Sequence, residues 1–234
     1  MALKHTEDHS LSHSMTDLMT SLAVIFILLL VVYLKHNFDE TQQGSTKRIE
    51  ALRHALDKAL IAQSIRCEMD ANKDPLSCTI RVRDDKLQFG FNSAALTPRG
   101  QSFLHWMTPR LTDVLCNPSY RKDIDAVFIQ GFTDSAGDDD TNLKLSAERS
   151  FEVLSHALNK TGLPSTQKNC LLDLSSTSGR GERELLRLKN GQENANASRR
   201  VEFTIRIKSY EMRSRLQQVK TLSQEHSSSG QKIQ

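Results

Sequence analysis

The sequence has little net charge and no long basic stretch. Its 31 Lys and Arg stand against 28 Asp and Glu, a formal charge of +3, with bases and acids interspersed. A basic stripe able to follow a nucleic-acid backbone is therefore missing, and no direct nucleic-acid partner is expected. Ser, His and Asp are plentiful, but there is no nucleophile elbow and no metal-ligand spacing, so neither an enzyme nor a cofactor is expected. Asp138-Asp139-Asp140 lacks the alternating ligands and distal Glu of a calcium loop. It reads as an acidic run at a helix N-terminus, where negative charge is favourable. His5, His9 and His13 lie in a polar tail without Cys or acidic ligands at metal spacing, which reads as a solvated tail.

What is present is one long apolar run and, beyond it, a segment of different character. Met15 to Leu34 is 20 residues built mainly of Val, Ile, Leu, Phe and Ala, about the length needed to cross a hydrocarbon core of roughly 30 Å. The residues that follow, Lys35-His36-Asn37-Phe38-Asp39-Glu40, show no small-x-small cleavage pattern, so an uncleaved anchor is expected. Flanking bases barely favour either orientation; a short tail before a long exported domain is the usual signal-anchor layout, with the N-terminus cytoplasmic. Asp17 stands at the mouth of this span, and an acid there points to function. Thr20 and Ser21, three and four residues on, share its helix face. The plainer alternative is a capping box, with Ser14 as N-cap and Asp17 reaching back to a free N–H.

The expected organisation is a tail over 1–14, a transmembrane helix over 15–34, a linker with an amphipathic helix over 35–66, a folded domain over 67–208 and a polar tail over 209–234. Ile49, Leu52, Leu56, Ala59 and Gln63 follow the linker helix's 3–4 spacing, suited either to pairing with a second copy or to packing on the domain. Cys78, Ile80 and Val82 alternate as a half-buried strand, with Phe89 and Phe91 extending the apolar set. Phe103 to Leu115 and Leu143 to Leu158 carry helical periodicity. Ala126–Ile129 and Val201–Ile207 read as strands, and Leu171, Leu172 and Leu174 suggest another. The fold class is α+β, a compact sandwich. Cys67, Cys78, Cys116 and Cys170 all follow the span. An even number suits two disulfides in an oxidising compartment, and four buried thiols are the alternative. If bridges form, Cys67–Cys78 and Cys116–Cys170 join neighbouring element ends.

Gln130-Gly131-Phe132-Thr133-Asp134-Ser135-Ala136-Gly137 follows a strand and precedes a helix. Asn142, Leu145-Ser146, Arg149, Gly179-Arg180-Gly181-Glu182 and Arg199-Arg200-Val201-Glu202 come later. This pattern, over roughly Phe89 to Ile207, resembles the OmpA-like peptidoglycan-binding domain. It departs in Phe132, where the family commonly has His, and in Ser198, where it usually has Asn. The resemblance implies that Asp134 holds the ammonium and Arg149 the carboxylate of diaminopimelate, supported by Thr133, Asn142 and Arg200. A bidentate Arg fork fits that task. The bland reading of the same residue types is an Asp134–Arg149 salt bridge tying turn to helix.

Thr16-Asp17-Leu18-Met19-Thr20, then an apolar span, a linker and an OmpA-like domain, together resemble the MotB-type stator subunit. That resemblance implies that Asp17 carries protons. It also implies a homodimer of this chain inside a ring of multi-span MotA-like subunits, in the bacterial inner membrane, with the C-terminal domain periplasmic. The short tail and Val/Ile/Leu-rich span are most similar to the ZorB-type subunits of the Zorya anti-phage defence system, implying a ZorA-like partner. A flagellar stator subunit and a passive membrane-to-wall tether are the alternatives.

Overall fold

The structure, a computed structural model, describes residues 5–70, 74–209 and 212; side chains in the long first helix are described at 18–34, at 44 and from 46 onward. The chain forms two compact units, Met1–Gly44 and Ser45–Gln234.

The first helix, α1, spans His5–Leu60. In the first unit the apolar side chains from Leu18 to Leu34 are exposed around the whole circumference of α1 (Leu18 72 %, Phe26 67 %, Leu34 57 %). Among the described residues no helix is long and apolar enough to cross a membrane. The described apolar run, Leu18–Leu34, has 17 residues, a turn short of the roughly 20 that a span needs. The start of the expected span, Met15 to Asp17, lies outside the residues whose side chains are described.

The second unit takes in the end of α1. Ile49, Leu52, Leu56 and Leu60, at 3–4 spacing near the end of α1, are at most 2 % exposed and belong to the same apolar core as the sheet. The amphipathic helix thus packs on its own domain. Gln63 falls beyond the helix end, in a 3-10 turn over Ile61–Gln63, and is exposed.

Strands β1 (Cys67–Glu68), β2 (Ser77–Arg83), β3 (Ile124–Phe132), β4 (Ser175–Gly179) and β5 (Arg200–Ile207) form one sheet in the order β1-β2-β5-β3-β4. All neighbours are antiparallel except β3 and β4, which run parallel. The period-2 patterns decide the faces. Cys78, Ile80 and Val82 of β2 and Val201, Phe203, Ile205 and Ile207 of β5 are buried toward the core. On the other face Thr79 meets Thr204 at 3.0 Å and Arg81 donates to Glu202 at 2.9 Å, cross-strand pairs of the kind that hold a register.

Helix α2 (Pro98–Leu115) starts where the Thr97 side chain accepts from Gly100 N, with Pro98 at the first helical position. It buries Phe103, Leu104, Met107, Leu111 and Leu115. The short helix α3 (Pro118–Arg121) leads into β3. Helix α4 (Asp139–Lys160) is capped by Asp138, whose carboxylate accepts from Thr141 N at 2.9 Å. That hydrogen bond, more than anything else, holds the Asp138 carboxyl below its ordinary value.

One sequence expectation fails here. Leu171, Leu172 and Leu174 lie in helix α5 (Ser165–Leu174), not in a strand: Leu171 and Leu174, three apart, are buried while Leu172 is 54 % exposed. The strand β4 that follows is Ser-Ser-Thr-Ser-Gly, too polar to announce itself. On α4, Leu143 and Phe151 are exposed, and the buried face runs through Asn142, Ser146, Arg149, Ser150, Val153 and Ala157. The reason is close approach. A Cβ on Gly131 would lie 2.0 Å from the Ser146 carbonyl oxygen, and one on Gly179 2.5 Å from Ala147 N. The first half of α4 rests against glycines of two strands, and only small side chains fit between.

Cys67 and Cys78 form a disulfide that ties β1 to β2, with a Cα–Cα distance of 5.5 Å. Cys116 and Cys170 form a second, at 6.1 Å, tying the end of α2 to α5.

Candidate functional site

The motif residues converge where β3 hands over to α4. Much of the motif is scaffold. Thr133 N donates to Gly181 O at 3.0 Å, Arg180 N to Gly131 O at 2.9 Å, and Gly181 N to the buried Ser146 Oγ at 2.9 Å. Asn142 is 3 % exposed and its Nδ2 donates to Glu182 at 2.8 Å. These bonds clasp the 179–182 segment to the strand end and to α4. Asn142 therefore serves the frame, and Thr133 is buried beside Asp134 with its Oγ1 lacking a partner among the described residues.

Arg149 and Asp134 are brought together, but not as a pair. Arg149 is only 8 % exposed, on the packed face of α4. Its guanidinium lies over the Phe89 ring at 5.0 Å, and its Nε donates to Ser93 O at 3.0 Å. That is its hydrogen bond among the described residues, and it fixes the stem while leaving both terminal nitrogens of the fork uncommitted. Burial holds the guanidinium below its ordinary value. Asp84 opposes this, Arg199 adds to it, and Asp134 opposes it.

The partner of Asp134 is Arg199, whose Nη1 donates to Oδ2 at 2.5 Å. Arg199 also reaches Asp84 Oδ2 through Nε at 3.4 Å and pairs with Asn196. Burial works against its charge, but the hydrogen bond and charge of Asp134, with Asp84, outweigh it and raise its affinity for the proton. The site is thus a four-charge group, Asp84, Asp134, Arg149 and Arg199, on four separate segments. Beside it, Asp84 lines an open groove of about 450 Å³ with Gln88, Asn194 and Asn196.

Arg200 does not join this group. It is 4 % exposed, stacks on the Phe132 ring at 3.8 Å, and donates to Glu202 at 2.7 Å and to the Glu184 and Ser198 carbonyls. It lines a groove of about 560 Å³ with Arg81, Gln130, Glu202 and Thr204. Successive side chains of an extended segment point to opposite sides, so of the two adjacent arginines it is Arg199 that faces Asp134. The two family departures fit this layout. Phe132 supplies the surface under Arg200, and Ser198 Oγ exchanges hydrogen bonds with the backbone N and O of Leu186. Asp84 and Arg199 escaped the sequence reading. The one signal for them was the doubled Arg199-Arg200, in which only one arginine can face each way.

Comparison with known proteins bears on the fold. Residues 88–200 match the OmpA family. Among solved structures, a putative MotB-like protein from Desulfovibrio vulgaris is 22 % identical with a TM-score of 0.50, covering 73 % of this chain and 98 % of its own. The periplasmic domain of Helicobacter pylori MotB is 16 % identical with a TM-score of 0.47, over 74 % of this chain and 92 % of its own. The cell wall anchor of the T6SS from Pseudomonas aeruginosa is 24 % identical with a TM-score of 0.44, over 67 % and 97 %. These likenesses are of fold. No curated protein matches the sequence significantly. What the comparisons show is thus an OmpA-like domain matched over residues 88–200.

Proposed function

We propose that this chain is a membrane-anchored, peptidoglycan-binding subunit of the MotB type. The observation that carries the binding half is Arg149: buried, braced by Phe89 and Ser93, with an uncommitted fork beside the Asp134 carboxylate. A rigid cationic fork next to an acid suits a zwitterion, such as the free end of diaminopimelate in a peptide stem. Asp134 takes the ammonium and Arg149 the carboxylate. Thr133, Asn142 and Arg200 contribute by holding the frame. Both disulfides suit an oxidising compartment, which favours a periplasmic domain.

The membrane half rests on the apolar residues Leu18–Leu34, exposed all round the helix; a helix apolar on every side needs a protein or lipid environment. Extended to Met15, the run becomes a single span with the N-terminus in the cytoplasm. Asp17 is then the proton carrier at the mouth of that span, in a homodimer enclosed by multi-span MotA-like subunits. The Val/Ile/Leu-rich composition of the span favours the Zorya anti-phage system, with a ZorA-like partner, over a flagellar motor.

The test of the binding half is calorimetry of the full chain in detergent with a diaminopimelate-containing stem peptide. Arg149→Ala is expected to weaken binding by about 10- to 100-fold, the loss of one charge-assisted bidentate contact. Equal binding by the variant would remove Arg149 from the site.

A further inference from the structure

In the proposed function, which this inference rests on, Asp134 receives the ligand's ammonium. Yet Asp134 already holds a cation, Arg199, at 2.5 Å. The pair is well shielded, with the Asp134 side chain 16 % and that of Arg199 30 % exposed. An incoming ammonium meets a carboxylate that is already neutralised.

The same guanidinium has a second acceptor within reach. Its Nε lies 3.4 Å from Asp84 Oδ2, a long contact with room to shorten. Asp84 and Arg199 are also held side by side through the backbone, since Asp84 N donates to Arg199 O at 3.1 Å. Arg199 thus stands between two carboxylates, tightly on one and loosely on the other. Simply stripping it from Asp134 would leave a shielded charge unpaired, which is costly. Passing it from one acid to the other leaves neither unpaired.

We infer that Arg199 is an internal stand-in for the ligand's ammonium, and that binding transfers it from Asp134 to Asp84. The exchange makes the site selective for α-amino acid zwitterions. A ligand with only a carboxylate cannot displace Arg199 from Asp134, and one with only an amine leaves the Arg149 fork unfilled. Asp84 touches no ligand in this scheme. It is a positioning residue whose task is to receive Arg199.

Calorimetry of the full chain in detergent with free meso-diaminopimelate tests this, using the parent, Arg199→Gln, Asp84→Asn and the double variant. Removing the competing cation should tighten binding by roughly three- to tenfold, as expected for loss of one partly shielded ion pair. Asp84→Asn should weaken binding by a similar factor, because Arg199 loses its alternative partner. The double variant should bind like Arg199→Gln, a rescue that general damage to the fold cannot produce. Weaker binding by Arg199→Gln, with no rescue in the double variant, would overturn the exchange and make Arg199 a direct ligand contact. A parent that binds no diaminopimelate would instead overturn the functional reading, and the exchange with it.

Discussion

At the scale of single residues, the burial of ionisable side chains sets what the domain tolerates. His156 is 8 % exposed, its Nε2 has no partner among the described residues, and its ring meets His105 edge-on at 5.5 Å. Burial holds its proton affinity below the ordinary value of 6.5, His105 and Lys160 add to this, and Glu152 opposes it. The unfolded chain therefore binds this proton more readily than the folded one, and stability falls as the pH drops through about 6.5. Thermal unfolding between about pH 8 and pH 5.5 should show a steeper decline for the parent than for His156→Gln. Identical slopes would remove His156 as the cause. Position 149 carries the other lesson at this scale. Arg149 lies on the buried face of α4. A basic residue can be buried and still functional when aromatic and carbonyl partners hold its stem.

At the scale of elements, glycine decides how closely helix and sheet approach. Gly131 of the Gly-x-Thr-Asp run has the Ser146 carbonyl where a Cβ would stand. Gly131→Ala should cost about 1–3 kcal/mol through overpacking, measured by denaturant unfolding. It should also weaken ligand binding, because α4 carries Arg149. Unchanged stability would mean the helix can shift without loss. The same contact explains what the sequence could and could not disclose. Strands β2 and β5 were legible because one buried face writes a period of two, and α2 because its core face is made of large apolar residues. The buried face of α4 is harder to read, because a helix resting on glycine buries Ser146 and Ser150 there while Leu143 and Phe151 stand outside. Strand β4 was hidden by its own polarity. At the site, Asp134 and Arg149 were pointed to by the family resemblance. Asp84 and Arg199 come from a turn and a strand entry, where no periodicity marks a charged residue as facing inward.

At the scale of the whole molecule, an apolar N-terminal segment precedes a domain whose packing already includes the end of α1, from Ile49 to Leu60. If Asp17 carries protons, Asp17→Asn should abolish the chain's activity in cells while leaving wall binding intact, since asparagine can still cap a helix but cannot titrate. Full activity of that variant would favour the passive tether. The most direct test of the central claim is co-sedimentation of the full chain with purified sacculi, comparing the parent with Asp134→Asn and Arg149→Ala, with free meso-diaminopimelate as competitor. The parent should sediment and be released by the competitor, and both variants should stay in solution. Sedimentation that ignores both substitutions and the competitor would contradict the claim.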